Sequence, residues 1–395
     1  MTVTPAEPDV AALKAGADRA MARGDFQGAA ALLGQATALA PRRLDLWLAR
    51  AAALRAAGDL QPALAALDGA LATDPRSVPA LLMKAALLER LGAPHGAGGA
   101  YAIALSQAPP DDAMPPQMRA AVAHARDVHA RYQDAFARRL KESLGASATG
   151  PAARRLEAFV DRLAGRRRVF QQEPVQFNYP GLPVLEFHDR ERFPCLEPLE
   201  RATDDILSEL IQLLDEDAGG LEPYVNYPDG VPLDQWAGLN RSAAWSAYHL
   251  WKDGEVIEEH ARRCPKTMAA IAALPQPKTQ GRSPAAMFSV LSPRTRIPPH
   301  TGIANTRLVL HLPLIVPEGC GFRVGAETRA WRVGEAWVFD DTIEHEAWNG
   351  SDEQRIILIC DLWNPHLSEE ERELIASTMA AMDEFTGAAP DGAGL

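Results

Sequence analysis

No stretch of this chain approaches the ~20 consecutive apolar residues that a membrane-spanning helix needs, and no two of its four cysteines lie close together. Cys195, Cys264, Cys320 and Cys360 form no CxxC pair, which argues against a thiolate zinc site and for reduced thiols in a cytosolic protein. Basic blocks are missing too. The net charge is −12, and the one short basic run, Arg166, Arg167 and Arg168, reads as a solvated helix end. Nucleic acid and anionic membrane are therefore not expected as partners. The opening MTVTPAEPDV lacks the basic stretch and apolar core of a secretory signal, so a cytoplasmic location is the expectation. The 395 residues are 47% hydrophobic and 23% charged, an ordinary globular composition with room for two or three cores.

The first part of the chain repeats. RGDFQGAAALLGQATALAP is followed by AGDLQPALAALDGALATDP and then by LGAPHGAGGAYAIALSQAP. Gly24, Gly58 and Gly92 keep a period of 34, as do Pro41, Pro75 and Pro109, Ala29, Ala63 and Ala97, and Ala36, Ala70 and Ala104. Small residues at fixed slots let paired helices approach closely, and a closing proline stops the second helix of each pair. The pattern resembles three tetratricopeptide repeats over residues 8–110. A further helix at 115–145 reads as a cap that hides the last apolar face, and GASATGPAA (145–153) as a small-residue linker, so 111–150 is assigned to cap and linker. A helix at 154–164 leads into a second domain, 154–385.

The grammar changes after about residue 175. Helical periodicity returns at 199–216 and 255–273, and short strand-like runs follow at 286–292, 307–316, 321–325, 328–333, 335–339 and 355–362. Several short strands separated by turn residues suggest a sandwich or jelly-roll barrel. The expected architecture is thus α+β and multidomain: an all-α repeat solenoid, then a double-stranded β-helix (jelly roll) with flanking helices. Asn349-Gly350 is a hairpin signal, and a hairpin there would put His345 nearly opposite Arg355 on neighbouring strands.

The stretch IPPHTGIANTRLVLHL (297–312) carries the chemistry. Alternation puts Arg307, Val309 and His311 on one face of a strand and Leu308, Leu310 and Leu312 on the other. That polar face is either solvated or the inside of a barrel holding an anion and a metal. Arg355 begins the apolar run RIILICDLW, where a buried arginine needs an anion; Asp340, Asp341 and Asp361 are candidate partners. Two histidines, an arginine and a barrel suggest a non-haem iron(II) oxygenase using 2-oxoglutarate. The usual HxD or HxE of such sites is absent, since no histidine has an acid two positions on and the slot after His300 is Gly302.

HTGIANTRLVLHLPLIVP, WVFDDTIEHEAWN and RIILICDLWNPHLS resemble the aspartyl/asparaginyl β-hydroxylases over about 175–375. In that family two histidines bind iron and water takes the place of the carboxylate. The resemblance implies that His300 and His345 are the metal ligands at the catalytic centre, and that Ser289 and Arg355 bind the distal carboxylate of 2-oxoglutarate. His311 would lie near the other carboxylate or the iron-bound water, and Arg307 would face the cofactor or an acidic substrate group. A second arginine found two residues later in the family is Val309 here. From the residues alone, His311 reads equally well as a core histidine, Ser289 as a small barrel residue, and Asp340 and Asp341 as groups that orient neighbours or close a turn. The remaining histidines, 95, 124, 129, 188, 249, 260 and 366, read as surface or core, and Trp245 and Trp251 as core aromatics.

The resemblance implies an iron(II)- and 2-oxoglutarate-dependent dioxygenase, with dioxygen as cosubstrate, that hydroxylates the β-carbon of Asp or Asn in a protein or peptide. The repeats would hold that partner. Two alternatives remain open: hydroxylation of a lipid or small-molecule acyl group, and a catalytically dead barrel in a repeat-based adaptor.

Overall fold

The computed structural model describes residues 9–144, 150–216, 220–279 and 281–386. The chain divides into two compact units, residues 1–166 and 167–395.

The first unit begins with three helical pairs: α1 (Val10–Ala22) with α2 (Phe26–Leu39), α3 (Leu44–Ala57) with α4 (Leu60–Thr73), and α5 (Val78–Arg90) with α6 (Pro94–Gln107). The sequence columns now have physical causes. Gly24, Gly58 and Gly92 each take a positive φ, 78°, 89° and 67°, at the turn inside a pair, a conformation that favours glycine. Ala29, Ala63, Ala36, Ala70 and Ala104 are fully buried and Ala97 nearly so, because a larger side chain there would push the paired helices apart. The long α7 (Pro116–Leu144) follows and covers the third pair. Its Tyr132 ring fills the space that a side chain at Gly98 would need, and Val122 and Ala125 join the core beneath. The linker expected at 145–153 falls largely on 145–149, outside the described residues; α8 (Gly150–Leu163) begins directly after them.

The second unit is built on two antiparallel sheets. The larger contains β1 (Glu222–Pro223), β2 (Trp245–Lys252), β3 (Glu255–Val256), β4 (Ala286–Leu291), β6 (Arg307–Ile315), β9 (Trp337–Phe339) and β11 (Arg355–Trp363). Its order is β1-β2-β4-β11-β6-β9, with β3 on β2. The smaller contains β5 (Thr295–His300), β7 (Cys320–Val324), β8 (Glu327–Arg329) and β10 (His345–Asn349), in the order β5-β10-β7-β8. Strict alternation sorts the large sheet's side chains. Phe288, Leu308, Leu310, Leu312, Leu358 and Cys360 point to one face. There they form a core with Leu199 of α9 (Leu196–Arg201), Ile206 and Leu210 of α10 (Thr203–Glu216) and Ile271. Trp245, Leu291, Val309 and Ile357 point the other way, toward Ile297, Phe322, Val324 and Ala347 of the small sheet. The jelly-roll expectation holds.

Four local expectations are corrected. The helical run 199–216 is two helices, and 255–273 contains β3 and two short helices, Glu258–Arg263 and Pro265–Ala272. The run 328–333 forms a strand only to Arg329. Asn349-Gly350 does not close a hairpin. Asn349 ends a strand of the small sheet and Arg355 opens one of the large sheet, so the connection crosses between sheets. Asn349 stabilises that crossing, its Nδ2 donating to the carbonyls of Leu291, Ser292 and Glu353 while its Oδ1 accepts from the Ser351 amide and hydroxyl. His345 therefore does not face Arg355.

Candidate active site

A cavity of about 690 Å³ lies among the inward-facing residues of the second unit, and His300, His345, Ser289, Arg307, His311 and Arg355 all line it. Strand register brings the two histidines together. His345 of β10 pairs directly with His300 of β5, and their ring centroids are 4.0 Å apart. Each ring is fixed through Nδ1, which meets the Pro298 carbonyl at 2.7 Å in His300 and the Ile343 carbonyl at 3.1 Å in His345. A carbonyl can only accept, so each Nδ1 carries the proton and each Nε2 keeps its lone pair. Burial, with the neighbouring His345, holds His300 well below the ordinary imidazole range; burial pushes His345 down to about 4. Both rings are neutral at physiological pH, the state a metal ligand requires.

Among the described residues no group of three or more His, Cys, Asp or Glu side chains could hold a metal ion, so two histidines are what the protein offers. The position of the missing third ligand has a steric explanation. A side chain at Gly302 would run into the carboxylate of Asp341, whose backbone carbonyl accepts from the Gly302 amide at 2.7 Å. Asp341 thus fills the volume that an acid at 302 would occupy. Its Oδ1 is buried and has no hydrogen-bond partner among the described residues.

Of the arginines that line the cavity, Arg355 and Arg307 differ in whether a carboxylate meets them. Arg355 is 1% exposed. Its Nη1 lies 3.4 Å from the Ser289 carbonyl and 3.5 Å from Ser289 Oγ, and its guanidinium sits 5.0 Å from the centre of the Trp331 ring. Its Nε has no partner, and no carboxylate among the described residues pairs with it. Burial without an anion lowers its pKa to about 10. Such an arginine is costly unless an anion arrives. The Asp340, Asp341 and Asp361 partners considered for it are engaged elsewhere. Asp340 accepts from Thr342 and Gln172. Asp341 and Asp361 grip Arg307 at 3.0 and 3.4 Å; burial alone would lower the Arg307 pKa, and the two carboxylates more than reverse that. Arg307 is therefore a paired cation rather than a free one.

Ser289 Oγ accepts from Trp245 Nε1 at 3.1 Å and presents its own O–H beside Arg355. His311 is buried between Phe322 and Phe339, with an unpartnered Nδ1, and is held well below the ordinary range by burial and by Arg355. Its neutral ring is one strand away from Arg355's strand, opposite Ile359. Of the two tryptophans, Trp245 lines the cavity and Trp251 packs on the outer core. Sequence reasoning missed Trp331, which sits on Arg355, and His249, which lines the cavity with an Nδ1 that has no partner among the described residues. Alternation along β2 places His249 on the face of Trp245 and Ala247, a signal that was available once that strand is recognised.

Known proteins resemble both parts of the chain in sequence. The aspartyl/asparaginyl beta-hydroxylase family profile matches residues 200–365, and a tetratricopeptide repeat profile matches residues 20–88. The chain is 37% identical over 144 residues to the aspartyl/asparaginyl beta-hydroxylase of Mus musculus, covering 36% of this chain but 19% of that protein. It is 30% identical to an ornithine lipid ester-linked acyl 2-hydroxylase of Rhizobium tropici, over 52% of this chain and 72% of the relative. It is likewise 30% identical to the mouse aspartate beta-hydroxylase domain-containing protein 1, over 59% of this chain and 69% of the relative. With its motifs, its jelly roll and these relatives, the chain belongs to the aspartyl/asparaginyl beta-hydroxylase family.

Proposed function

We propose that this protein is an iron(II)- and 2-oxoglutarate-dependent dioxygenase that hydroxylates the β-carbon of an Asp or Asn residue in a protein or peptide, which the repeats help to hold. The observation that carries the reading is the pairing of two pinned, neutral histidines with a buried arginine that lacks an anion, in one cavity. His300 and His345 would hold the metal through Nε2, their Nδ1 protons locked on backbone carbonyls. Bound iron and 2-oxoglutarate supply the oxidising power for C–H hydroxylation. Arg355, with the Ser289 hydroxyl beside it, would grip the distal carboxylate, since a guanidinium matches a carboxylate with two parallel hydrogen bonds. Trp245 orients Ser289, and Trp331, Phe322 and Phe339 keep water from the cofactor end, which strengthens every charge–charge contact there.

The repeats support a macromolecular substrate, because contacts far from the reacting carbon supply positioning energy. Among the described residues no helix is long and apolar enough to cross a membrane. A second reading, hydroxylation of an acyl group, draws on the Rhizobium relative, whose coverage is the fuller. The purified protein, supplied with iron(II), 2-oxoglutarate and a library of Asp- and Asn-containing peptides, separates the two. A 16-Da gain on a peptide supports the first; gain only on an acyl lipid supports the second.

A further inference from the structure

Most of the charged side chains that line the cavity are already engaged. Lys252 pairs with Glu222 at 2.9 Å, Arg282 pairs with Asp383, and Arg307 meets two carboxylates. Arg355, with Ser289, belongs to the cosubstrate in the proposed function. Tyr224 is not engaged. It lines the cavity, and its hydroxyl forms no hydrogen bond among the described residues. The oxygen is not sealed in the wall but open to the cavity. The charges that reach it, those of Arg307, Asp361 and Asp341, all stand on the cavity wall, so the hydroxyl is turned inward. The rest of the residue is fixed. Its amide donates to the Trp245 carbonyl at 2.9 Å. Its ring stacks on Trp245, with centroids 4.1 Å apart and planes 23° apart. Trp245 in turn is held by Ser289 at 3.1 Å, and its ring centroid lies 6.3 Å from that of His300. The segment that follows is tied down as well. The Arg241 amide donates to the Val225 carbonyl at 2.8 Å, and Asn240 exchanges hydrogen bonds with the Tyr227 backbone at 2.7 and 3.3 Å.

We infer that Tyr224 binds the substrate, its O–H donating to the carbonyl oxygen next to the carbon that is hydroxylated. A phenol is a neutral donor at physiological pH. One that is held rigidly, with its hydroxyl free, is pre-organised for an acceptor and loses little freedom when the acceptor arrives. The stack on Trp245 sets that donor beside the His300 ring, on the side of the cavity where the reacting carbon must come. The β-carbon of Asp or Asn is bonded to a carbonyl carbon, and an acyl ester presents the same kind of oxygen. One hydrogen bond from Tyr224 therefore orients either substrate, and orientation of the reacting atom is what lowers the barrier. The inference rests on the oxygenase reading and adds to it the group that places the substrate.

The test uses the full-length protein with iron(II), 2-oxoglutarate and oxygen, offered in separate arms the Asp- and Asn-containing peptide library and an ester-linked acyl lipid in detergent micelles. Mass spectrometry counts the products that gain 16 Da, and succinate is measured in the same samples. The arm that yields product is carried to the variants. Tyr224→Phe keeps the ring and its stack and removes only the O–H. It should lower kcat/KM on that substrate at least tenfold, because the substrate oxygen then lacks its donor. It should also raise the succinate released per hydroxylated product at least threefold, because a misplaced carbon lets the cosubstrate turn over unproductively. Its Kd for 2-oxoglutarate, measured by anaerobic calorimetry, should stay within twofold of the wild type. Tyr224→Leu removes the stack as well, which loosens Trp245 and through it Ser289, and should weaken 2-oxoglutarate binding too; if this variant does not fold, Tyr224→Phe decides alone. Wild-type kcat/KM and coupling in Tyr224→Phe overturn the inference. So does a loss of 2-oxoglutarate affinity in Tyr224→Phe as large as its loss of kcat/KM, which would make the hydroxyl a support of the cosubstrate pocket. Absence of product from both arms while 2-oxoglutarate binding still depends on Arg355 overturns it as well. Loss of that binding altogether, or its indifference to Arg355, marks failure of the oxygenase reading itself, and the inference falls with it.

Discussion

Replacing Arg355 with methionine should weaken 2-oxoglutarate binding and leave the ligand-free protein no less stable. The two effects have opposite signs because the side chain is buried, charged and without an anion. In the ligand-free state its cation is desolvated, with only the Ser289 oxygens at 3.4 and 3.5 Å and the Trp331 ring at 5.0 Å in compensation. A cation–π contact of this kind offsets about 0.5–2 kcal/mol, less than the several kcal/mol that burying an ion costs. An apolar side chain of similar length removes both, so the melting temperature should hold or rise. In the complex the same arginine makes hydrogen bonds to a charged partner, each worth about 1.5–3 kcal/mol. Losing a bidentate pair should cost about 3 kcal/mol or more, a factor of ~10² or greater in Kd. Titration calorimetry gives the affinity under anaerobic conditions, and thermal melts with and without 2-oxoglutarate give the stability. A variant that loses 3 kcal/mol of stability without ligand, while binding 2-oxoglutarate like the wild type, would refute the reasoning and make Arg355 a structural residue.

Gly302→Ala should destabilise the second unit by about 1–3 kcal/mol, the usual cost of overpacking, because the added methyl collides with Asp341. For the same reason Gly302→Asp should displace Asp341 from Arg307 rather than restore a third metal ligand, which a melt and a metal titration would reveal together. Metal uptake at pH 7 should release almost no protons, since His345 is pushed down to about 4 and His300 lies well below the ordinary range; calorimetry in two buffers of different ionisation enthalpy measures this. In the same metal-free protein the unfolded chain binds protons that the folded chain does not between about pH 6.5 and 4. Stability should therefore be complete above pH 6.5 and fall on acidification through that window, as chemical denaturation at several pH values would show. A chain beginning near residue 167 should still bind 2-oxoglutarate, yet lose kcat/KM on the physiological substrate; equal efficiency would mean that the repeats serve recruitment instead.

The repeats were legible because their signal is local: a glycine forced to positive φ inside each pair and an alanine at each close helix contact recur every 34 residues. The inward face of β6 was legible because alternation needs only one strand. What sequence could not give was the pairing of strands distant in the chain. His300 and His345 are ladder neighbours but 45 positions apart in the chain, and only the family resemblance joined them. Asn349-Gly350 misled because the same dipeptide that closes a hairpin also suits a crossing, where the Asn349 side chain ties three carbonyls. β2 escaped notice because WSAYHLWK is buried on both faces along most of its length, so its period is blurred, and His249 was missed with it. Which carboxylate pairs with which arginine is a tertiary fact. Asp361 lies six residues from Arg355 in the chain but reaches across to Arg307 on the adjacent strand.

Succinate formation from 2-oxoglutarate by the purified full-length protein, measured with and without iron(II) under oxygen, tests the central claim most directly. The account predicts slow iron-dependent turnover that a peptide substrate accelerates, that chelation abolishes, and that His300→Ala or His345→Ala reduces by ~10²-fold or more. Iron-dependent succinate production undiminished in both histidine variants, or none at all from a protein that binds 2-oxoglutarate and iron, would contradict it.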